Sequence, residues 1–243
     1  RTGITLINLF DEVIAEQNDK FEINYIGKFA PKNKKFENCI IKRFFSEFNI
    51  SRPAYKFTIT KNIPIKSGLG SASSNLAAVQ RILNKLGYNN LNKEYSKIGS
   101  DVPFFVNNTD SLVRGVGDKV IKKIFPKYYF LIVKPLADCS TAEMFNLINI
   151  NNIKYDQELD TDEINENDYG NDFEFSVKQK FNEIKILFNF FSDFPNVIFN
   201  RLTGSGSCIF AAFETKKDAQ SSELILRDKF PNLWSKVVEN NFI

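Results

Sequence analysis

Histidine is absent from this chain of 243 residues, and methionine and tryptophan each occur once. Without histidine, a His-based catalytic site and the usual zinc sites are excluded. The 3 cysteines, Cys39, Cys139 and Cys208, are odd in number and far apart, so the sequence indicates neither a disulfide framework nor a metal-binding pair with short spacing. We therefore expect buried free thiols and a functional site made of other residue types.

The chain also lacks an excess of charge of one sign and a long apolar run. Its 32 Lys and Arg against 29 Asp and Glu leave a net charge of +3, which makes no general case for a nucleic-acid or acidic-membrane partner. No stretch approaches the ~20 apolar residues that span a bilayer. We expect a small-molecule substrate, no nucleic acid and no membrane partner, in a monomer or weak homodimer.

What is present is the composition of a globular protein, with 43% hydrophobic and 25% charged residues. Alternating β-branched and aromatic residues predict strands at "RTGITLINLF", "DKFEINYIG", "AYKFTITKNIPI" and "YYFLIVKPL". Apolar spacings of three and four residues predict helices at "FENCIIKRFFSEFNI", from Asn75 onward, and at "FSVKQKFNEIKILFNFF". The alternation predicts an α+β protein in two lobes, residues 1–124 and 125–243, with an acidic surface loop at 151–172.

The stretch "PIKSGLGSASS", residues 64–74, joins a predicted strand to a predicted helix. A glycine-rich turn at a helix start directs backbone N–H groups and the positive end of the helix dipole at one point, which favours an anion. The stretch is not a Walker A loop, which ends in Gly-Lys-Ser/Thr, and Ser73 stands where a dinucleotide fingerprint has its third glycine. Taken alone, it is equally typical of a plain turn before a capped helix.

A second feature is Asp101 in "GSDVPFFV", which we interpret as the entrance to a buried strand. A carboxylate is unusual at such a place unless it is used or hydrogen-bonded. An aspartate that accepts a hydroxyl proton is what phosphoryl transfer to an alcohol requires. An Asx-turn or a helix cap is the alternative interpretation of this residue.

Two further glycine turns lie at "VRGVGDKV" and "RLTGSGSCIFAAF", each between predicted strands. Either one could be an ordinary hairpin with no ligand. As a set, the glycine-bearing turns of this sequence would line one cleft if the two lobes face each other.

These stretches resemble the superfamily of small-molecule kinases named after galactokinase, homoserine kinase, mevalonate kinase and phosphomevalonate kinase, the GHMP kinases. Its signature Pro-x-x-x-Gly-Leu-Gly-Ser-Ser is matched by residues 64–74, where Ala72 interrupts the serines. Within the superfamily, the chain is most similar to the family that phosphorylates 4-diphosphocytidyl-2-C-methyl-D-erythritol. That similarity is carried by "GSDVPFFV", "VRGVGDKV", "VKPLADCSTAEMF" and "GNDFE", in the right order and nearly end to end.

The resemblance implies a ribosomal-protein-like N-terminal lobe, lacking its first strand in this chain, a ferredoxin-like C-terminal lobe, and an active site in the cleft between them. It also implies that ATP phosphorylates the C2 hydroxyl of the cytidylylated methylerythritol in non-mevalonate isoprenoid biosynthesis. Mg²⁺ would accompany the ATP as its counter-ion. Such an enzyme is expected in the bacterial cytoplasm, with a plastid as the alternative.

The same resemblance implies the roles of individual residues. Asp101 is the expected catalytic aspartate and contacts the substrate hydroxyl, and no metal ligand is assigned. The residues expected to wrap the ATP phosphates, here called the phosphate loop, are Pro64, Ile65, Lys66, Ser67, Gly68, Leu69, Gly70, Ser71, Ala72, Ser73 and Ser74. Further expected substrate-binding positions are Val116, Thr141, Phe145, Gly204 and Gly206.

The family also carries an N-terminal Lys-x-Asn segment with a catalytic lysine, and a Tyr-His pair that recognises cytosine. Neither is found in this sequence, and we expect both in residues that precede Arg1. Two other functions stay open: a kinase of the same superfamily that acts on homoserine or mevalonate, and an inactive nucleotide- or RNA-binding module. The near-neutral charge speaks against RNA, for which a basic face is expected.

Overall fold

The computed structural model describes residues 1–32, 39–88, 91, 93–147 and 170–241. The chain divides into two compact units, one made of Arg1–Ile65 with Gly70–Phe125 and the other of Lys66–Leu69 with Pro126–Ile243. Both units therefore contain residues of the phosphate loop. Its middle residues Lys66–Leu69 belong to the second unit, and its two ends belong to the first.

The first unit contains strands in two separate sheets. They are β1 (Thr2–Ile4), β2 (Glu12–Gln17), β3 (Glu22–Ile26), β4 (Tyr55–Thr60), β5 (Ser111–Arg114) and β6 (Lys119–Lys122). One sheet has the order β1-β5-β6 and is antiparallel throughout. The other has the order β2-β4-β3, in which β4 runs antiparallel to β2 and parallel to β3.

Helices of the first unit pack on the sheet that contains β4. They are α1 (Ile40–Glu47), α2 (Ser71–Lys85), a short 3-10 helix (Tyr95–Lys97) and α3 (Val102–Asn107). On α2, Leu76, Val79 and Leu83 recur at three and four residues and are all buried, as expected of an amphipathic helix with one face in a core. They share that core with Phe57 and Ile59 of β4. The core thereby holds α2 against the strand that leads into the phosphate loop.

The second unit is a four-stranded antiparallel sheet with helices. Its elements are β7 (Tyr129–Lys134), α4 (Thr141–Leu147), α5 (Phe173–Lys180), α6 (Asn182–Ser192), β8 (Phe199–Leu202), β9 (Ile209–Phe213), α7 (Lys216–Lys229) and β10 (Trp234–Glu239). The strand order is β10-β7-β9-β8. The chain order of strand, helices, two strands, helix and strand is the ferredoxin-like arrangement. With the first unit, it confirms the predicted α+β class.

The interpretation of "VPFFV" as a buried strand was wrong, since these residues form α3. Pro103 lies in the first helical turn, where its missing N–H costs no hydrogen bond. Val102 and Phe104 are buried, and Asn108 ends the helix in the left-handed conformation. The β-like composition of this stretch is overridden by its packing, and Asp101 becomes the residue that precedes a helix.

Other predicted elements change in extent. The single helix predicted at "FSVKQKFNEIKILFNFF" is two helices, because Phe181 is extended (φ −119°, ψ 98°) and packs against the core of the second unit. Only Thr2–Ile4 of the predicted first strand is a strand, and β2 and β10 were not predicted. The predicted loop at 151–172 lies outside the described residues up to position 169.

The cysteines behave as expected. Cys39, Cys139 and Cys208 are free and buried, which confirms that interpretation. Burial raises the pKa of the Cys139 thiol to about 11, so this group stays protonated and unreactive near neutral pH. Among the helices of the described residues, none has the length and apolar character to cross a bilayer.

Candidate active site

The start of α2 has the features that favour an anion site. Gly70 precedes the helix in the left-handed conformation (φ 67°), which a residue with a side chain adopts only at a cost. The helix begins at Ser71 rather than near Asn75, so the last serines of the phosphate loop form its first turn. The first backbone N–H groups of a helix have no partner within it, so they remain available to a ligand.

Asp101 lies beside this helix start. A Cβ atom placed on Gly70 would stand 3.7 Å from Asp101 Oδ2 and only 2.5 Å from the ring of Phe105. Gly70 is thus required for two reasons, its backbone conformation and its close approach to α3. The result is a carboxylate next to the N-terminus of α2, within one folded unit.

The carboxyl group of Asp101 has a raised pKa. Burial of the group among surrounding protein atoms is the main cause, and a hydrogen bond from the Ser100 side chain acts in the opposite direction. The residue as a whole keeps an exposed surface. A raised pKa makes a carboxylate a better acceptor of a hydroxyl proton.

The turn between β5 and β6 approaches Ser100, the residue before Asp101. A Cβ on Gly117 (φ 91°) would lie 2.0 Å from the carbonyl oxygen of Ser100, so only glycine fits there. The Val116 N–H donates to Asp118 Oδ1 at 3.0 Å, which closes the turn. The Val116 side chain is 72% exposed. This turn therefore both positions the residue before Asp101 and presents an apolar side chain to solvent.

A buried ion pair that the sequence reasoning missed lies next to Ser71. Lys61, directly after β4, is 4% exposed and pairs with Asp11, whose side chain is fully buried. The Lys61 ammonium also donates to Ser71 Oγ at 2.7 Å. Burial lowers the pKa of Lys61, and the hydrogen bond and charge of Asp11 act against that shift. The available signal was a lysine at the end of a strand followed by the glycine loop.

In the second unit, the middle of the phosphate loop packs on the turn between β8 and β9. Thr203 Oγ1 donates to the Ser67 carbonyl oxygen at 2.6 Å, and the Cys208 N–H donates to the same oxygen at 3.1 Å. A Cβ on Gly68 would lie 2.0 Å from the Thr203 carbonyl oxygen, and one on Gly204 would lie 2.9 Å from the Gly68 carbonyl oxygen. Two of the glycine turns singled out in the sequence are thus in direct contact.

The "GNDFE" segment holds this turn in place. Asn171 Nδ2 donates to the carbonyl oxygens of Leu202 and Gly204, at 2.9 and 2.8 Å. The Leu202 N–H donates to Glu174 Oε1 at 3.0 Å. The motif thus binds the backbone of the glycine turn, with an amide that donates to carbonyl oxygens and a carboxylate that accepts an N–H.

The expected substrate-binding residues of the second unit lie on or near α4. The hydroxyl groups of Thr141 and Ser205 are 3.0 Å apart, which links α4 to the β8–β9 turn that also holds Gly204 and Gly206. Phe145 is 61% exposed and meets Phe173 edge to face, with ring centres 5.0 Å apart. An exposed aromatic ring of this kind can stack on a planar ligand.

Lys66, the only lysine of the phosphate loop, forms an exposed ion pair with Asp138 at 3.0 Å. Lys134 also reaches Asp138, at 3.2 Å, and donates to the carbonyl oxygens of Pro135 and Ala137. Partial burial acts to raise the pKa of Asp138, but the two lysines outweigh it and the pKa is lowered. Exposed pairs of this kind contribute little to stability, so Lys66 can exchange partners at small cost.

Within the described ranges, no three acidic, cysteine or histidine side chains gather in a way that could hold a metal ion. The oxygen groups at the start of α2 are the Asp101 carboxylate and the serine hydroxyls, which are the ligand types that Mg²⁺ prefers. Together with the phosphates of a nucleotide, such groups fit a magnesium ion that binds with its substrate.

Known proteins with similar sequences confirm the resemblance. A family model described as the GHMP kinases N terminal domain matches residues 35–108. A 4-diphosphocytidyl-2-C-methyl-D-erythritol kinase of Francisella philomiragia is 31% identical over 248 residues, which cover 96% of this chain and 85% of the relative. This chain belongs to the 4-diphosphocytidyl-2-C-methyl-D-erythritol kinase family. The family and the superfamily named from the motifs are thereby confirmed.

Solved structures agree on the fold. A crystal structure of 4-(cytidine 5'-diphospho)-2C-methyl-D-erythritol kinase superposes with a TM-score of 0.73 at 20% identity, over 97% of this chain and 88% of that one. Homoserine kinase from Cytophaga hutchinsonii has a TM-score of 0.61 at 19% identity, over 98% of this chain and 88% of that one. At these identities the likeness establishes the GHMP kinase fold and does not separate one substrate from another.

Not every relative is matched over its full length. The family member from Buchnera aphidicola subsp. Schizaphis graminum is 35% identical over 176 residues, which cover 70% of this chain and 59% of the relative. The match to the member from Blochmanniella pennsylvanica, 38% identical, covers 65% of this chain and 55% of the relative. The family assignment therefore stands on the long matches, and the activity is argued separately.

Proposed function

We propose that this protein transfers the γ-phosphoryl group of ATP to the C2 hydroxyl of 4-diphosphocytidyl-2-C-methyl-D-erythritol, a step of non-mevalonate isoprenoid biosynthesis. Family membership and the motif set around Asp101 support this substrate. The observation that carries the chemistry is the approach of Asp101 to the start of α2, 3.7 Å from a Cβ position on Gly70. A phosphate held at that helix terminus would lie within reach of the carboxylate.

Asp101 acts as the proton acceptor in this proposal. Its carboxylate takes the C2 hydroxyl proton while the hydroxyl oxygen forms a bond to the γ-phosphorus. The bond between that phosphorus and the bridging oxygen breaks, and ADP leaves. Burial, which raises the pKa of Asp101, strengthens it as an acceptor. Because phosphoryl transfer depends mostly on positioning and charge stabilisation, few side chains are needed.

The phosphate loop binds ATP largely through its backbone. Gly70 allows close approach, and the N–H groups at the start of α2 donate to phosphate oxygens with the helix dipole behind them. Mg²⁺ would neutralise phosphate charge when bound with ATP, and the Ser74 hydroxyl is the candidate of this loop to hold it, in keeping with the ion's preference for oxygen ligands.

The substrate contacts remain those predicted from the resemblance. The exposed side chains of Val116 and Phe145 and the hydroxyl of Thr141 suit the cytidine diphosphate end. Gly204 and Gly206 are proposed to lie behind the phosphates and the substrate. We propose a cytoplasmic monomer or weak homodimer with no nucleic-acid or membrane partner, in keeping with the small net charge of +3.

A coupled assay of ADP release tests the proposal. The full-length protein is given ATP, Mg²⁺ and one acceptor at a time: 4-diphosphocytidyl-2-C-methyl-D-erythritol, homoserine or mevalonate. We expect turnover with the first acceptor only. Turnover with homoserine or mevalonate instead would assign another activity of the superfamily, and ATP binding without turnover of any acceptor would leave a binding module.

A further inference from the structure

The first unit contains a buried lysine that the proposed reaction does not use. Lys61 donates through its ammonium group to Asp11 Oδ2 and, at 2.7 Å, to Ser71 Oγ. A charged pair removed from water in this way is costly unless both partners are well bonded.

Asp11 is bonded on both carboxylate oxygens. Its Oδ1 accepts the N–H groups of Asn62 and Ile63, at 2.8 and 2.9 Å. Its Oδ2 accepts Lys61 and the side-chain amide of Asn75, the latter at 3.0 Å. The pair is thus tied to the residues after β4 and to α2 at the same time.

Lys61 is fixed through its backbone as well. Its N–H donates to the Ile26 carbonyl oxygen at 2.8 Å, and its carbonyl oxygen accepts the Phe29 N–H at 3.3 Å. Gly27 approaches so closely that a Cβ there would lie 2.9 Å from the Lys61 carbonyl oxygen. The ammonium group therefore has a defined position from which to contact Ser71.

The hydrogen bond from Lys61 determines what Ser71 can do. An ammonium only donates, so the Ser71 oxygen must be the acceptor, and the single hydroxyl hydrogen of Ser71 remains for another partner. Ser71 begins α2, where the helix presents its own donors. Because Asp11 neutralises the charge of Lys61, the pair orients the Ser71 hydroxyl without adding net charge at the start of α2.

We propose that Lys61, held by Asp11, is a positioning residue that keeps the Ser71 hydroxyl oriented as a hydrogen-bond donor to a phosphate oxygen of the nucleotide. This inference rests on the proposed ATP site. Lys61 would differ from the lysine of a Walker A loop, which contacts the phosphates directly, because Lys61 would act on the phosphate through Ser71.

A double-mutant cycle on ATP affinity tests the proposal in the full-length protein. Its arms are wild type, Ser71→Ala, the pair Asp11→Asn/Lys61→Met, and the triple variant, with Mg-ATP binding measured by calorimetry. The pair is replaced together because Lys61→Met alone would leave a buried carboxylate unpaired. We expect Ser71→Ala and the pair variant each to weaken ATP binding by roughly fivefold to tenfold, and the triple variant to lie within about twofold of Ser71→Ala.

Thermal unfolding separates this role from a purely structural one. The pair variant is expected to lower Tm both with and without Ser71→Ala, while its effect on ATP affinity disappears in the presence of Ser71→Ala. Lys85→Met, on the exposed last turn of α2, is the matched control and should change neither quantity. Losses of affinity that multiply in the triple variant would overturn the proposal.

The cycle also distinguishes this inference from the proposed function. A wild-type protein that binds no ATP would overturn both. Wild-type binding that Ser71→Ala and the pair variant leave unchanged would overturn only the positioning role of Lys61. Turnover with the acceptor is not needed for either result.

Discussion

Replacing Gly117 by alanine should displace Asp101, the proposed catalytic base, without a direct contact between the two residues. A Cβ on Gly117 would lie 2.0 Å from the Ser100 carbonyl oxygen, whereas real Cβ contacts begin near 3.0 Å. The Ser100 backbone must therefore move by about 1 Å, and a shift of that size at a reacting group costs on the order of 10²-fold in rate. Ser100 directly precedes Asp101, so the movement reaches the carboxylate.

The cost in stability has two parts. Gly117 has φ 91°, and an alanine there costs about 1–2 kcal/mol in backbone strain. The clash with backbone atoms adds about 1–3 kcal/mol, as for other overpacked sites. Gly87→Ala isolates the first part, because Gly87 has φ 85° and a Cβ there would meet nothing within 4 Å. We expect a loss of about 1–2 kcal/mol for Gly87→Ala and about 2–5 kcal/mol for Gly117→Ala.

Urea unfolding and steady-state kinetics measure the two effects. Activity is compared under conditions in which circular dichroism shows both variants to be folded. We expect kcat of Gly117→Ala to fall by roughly 10²-fold with little change in the KM for ATP, and kcat of Gly87→Ala to stay within about threefold of wild type. Equal kcat values for the two variants would refute the reasoning that Gly117 positions Asp101.

Four further predictions concern residues of the proposed site. Asp101→Asn should lower kcat by at least roughly 10²-fold while calorimetry still detects ATP binding, and unchanged turnover would remove Asp101 from the mechanism. Burial raises the pKa of Asp101, so the acidic limb of the pH–rate profile should lie at higher pH than the usual pKa of an aspartate would give. A profile that is flat in the pH range just above that usual pKa would contradict the role of Asp101 as base. Because the pKa of Asp101 is higher in the folded protein than in the unfolded chain, ionisation of this group destabilises the fold once the pH rises above the unfolded pKa. Asp101→Asn should therefore not lower Tm at neutral pH. Phe145→Ala should raise the KM for the cytidylyl substrate by about tenfold through lost stacking, whereas Phe175→Ala, at a residue 65% exposed, should leave it unchanged.

The local elements with strong patterns could be predicted from the sequence. The spacing of Leu76, Val79 and Leu83 predicted α2, and the alternation around β4 predicted that strand. The glycine turn between β8 and β9 was also predicted, because two apolar runs flank "TGSG". These are signals carried by neighbouring residues, and such signals suffice where packing agrees with propensity.

The failures lie where packing opposes propensity. The run "VPFFV" is β-like in composition, but Pro103 in a first turn and the burial of Val102 and Phe104 make it helical. Phe181 breaks a helix that its neighbours would continue, since its ring packs against the core of the second unit. Neither outcome is visible in a single segment.

The motifs in the sequence by themselves determined the family, the phosphate loop and Asp101 as the candidate base. Motifs report residue types at fixed spacings, and those spacings follow from local chemistry. Only the tertiary structure decided that Asp101 meets the start of α2, that Gly117 supports Ser100, and that Lys61 reaches Ser71. Asp11 and Lys61 are separated by 50 positions along the chain, and only the packing of β2 against β4 brings such residues together.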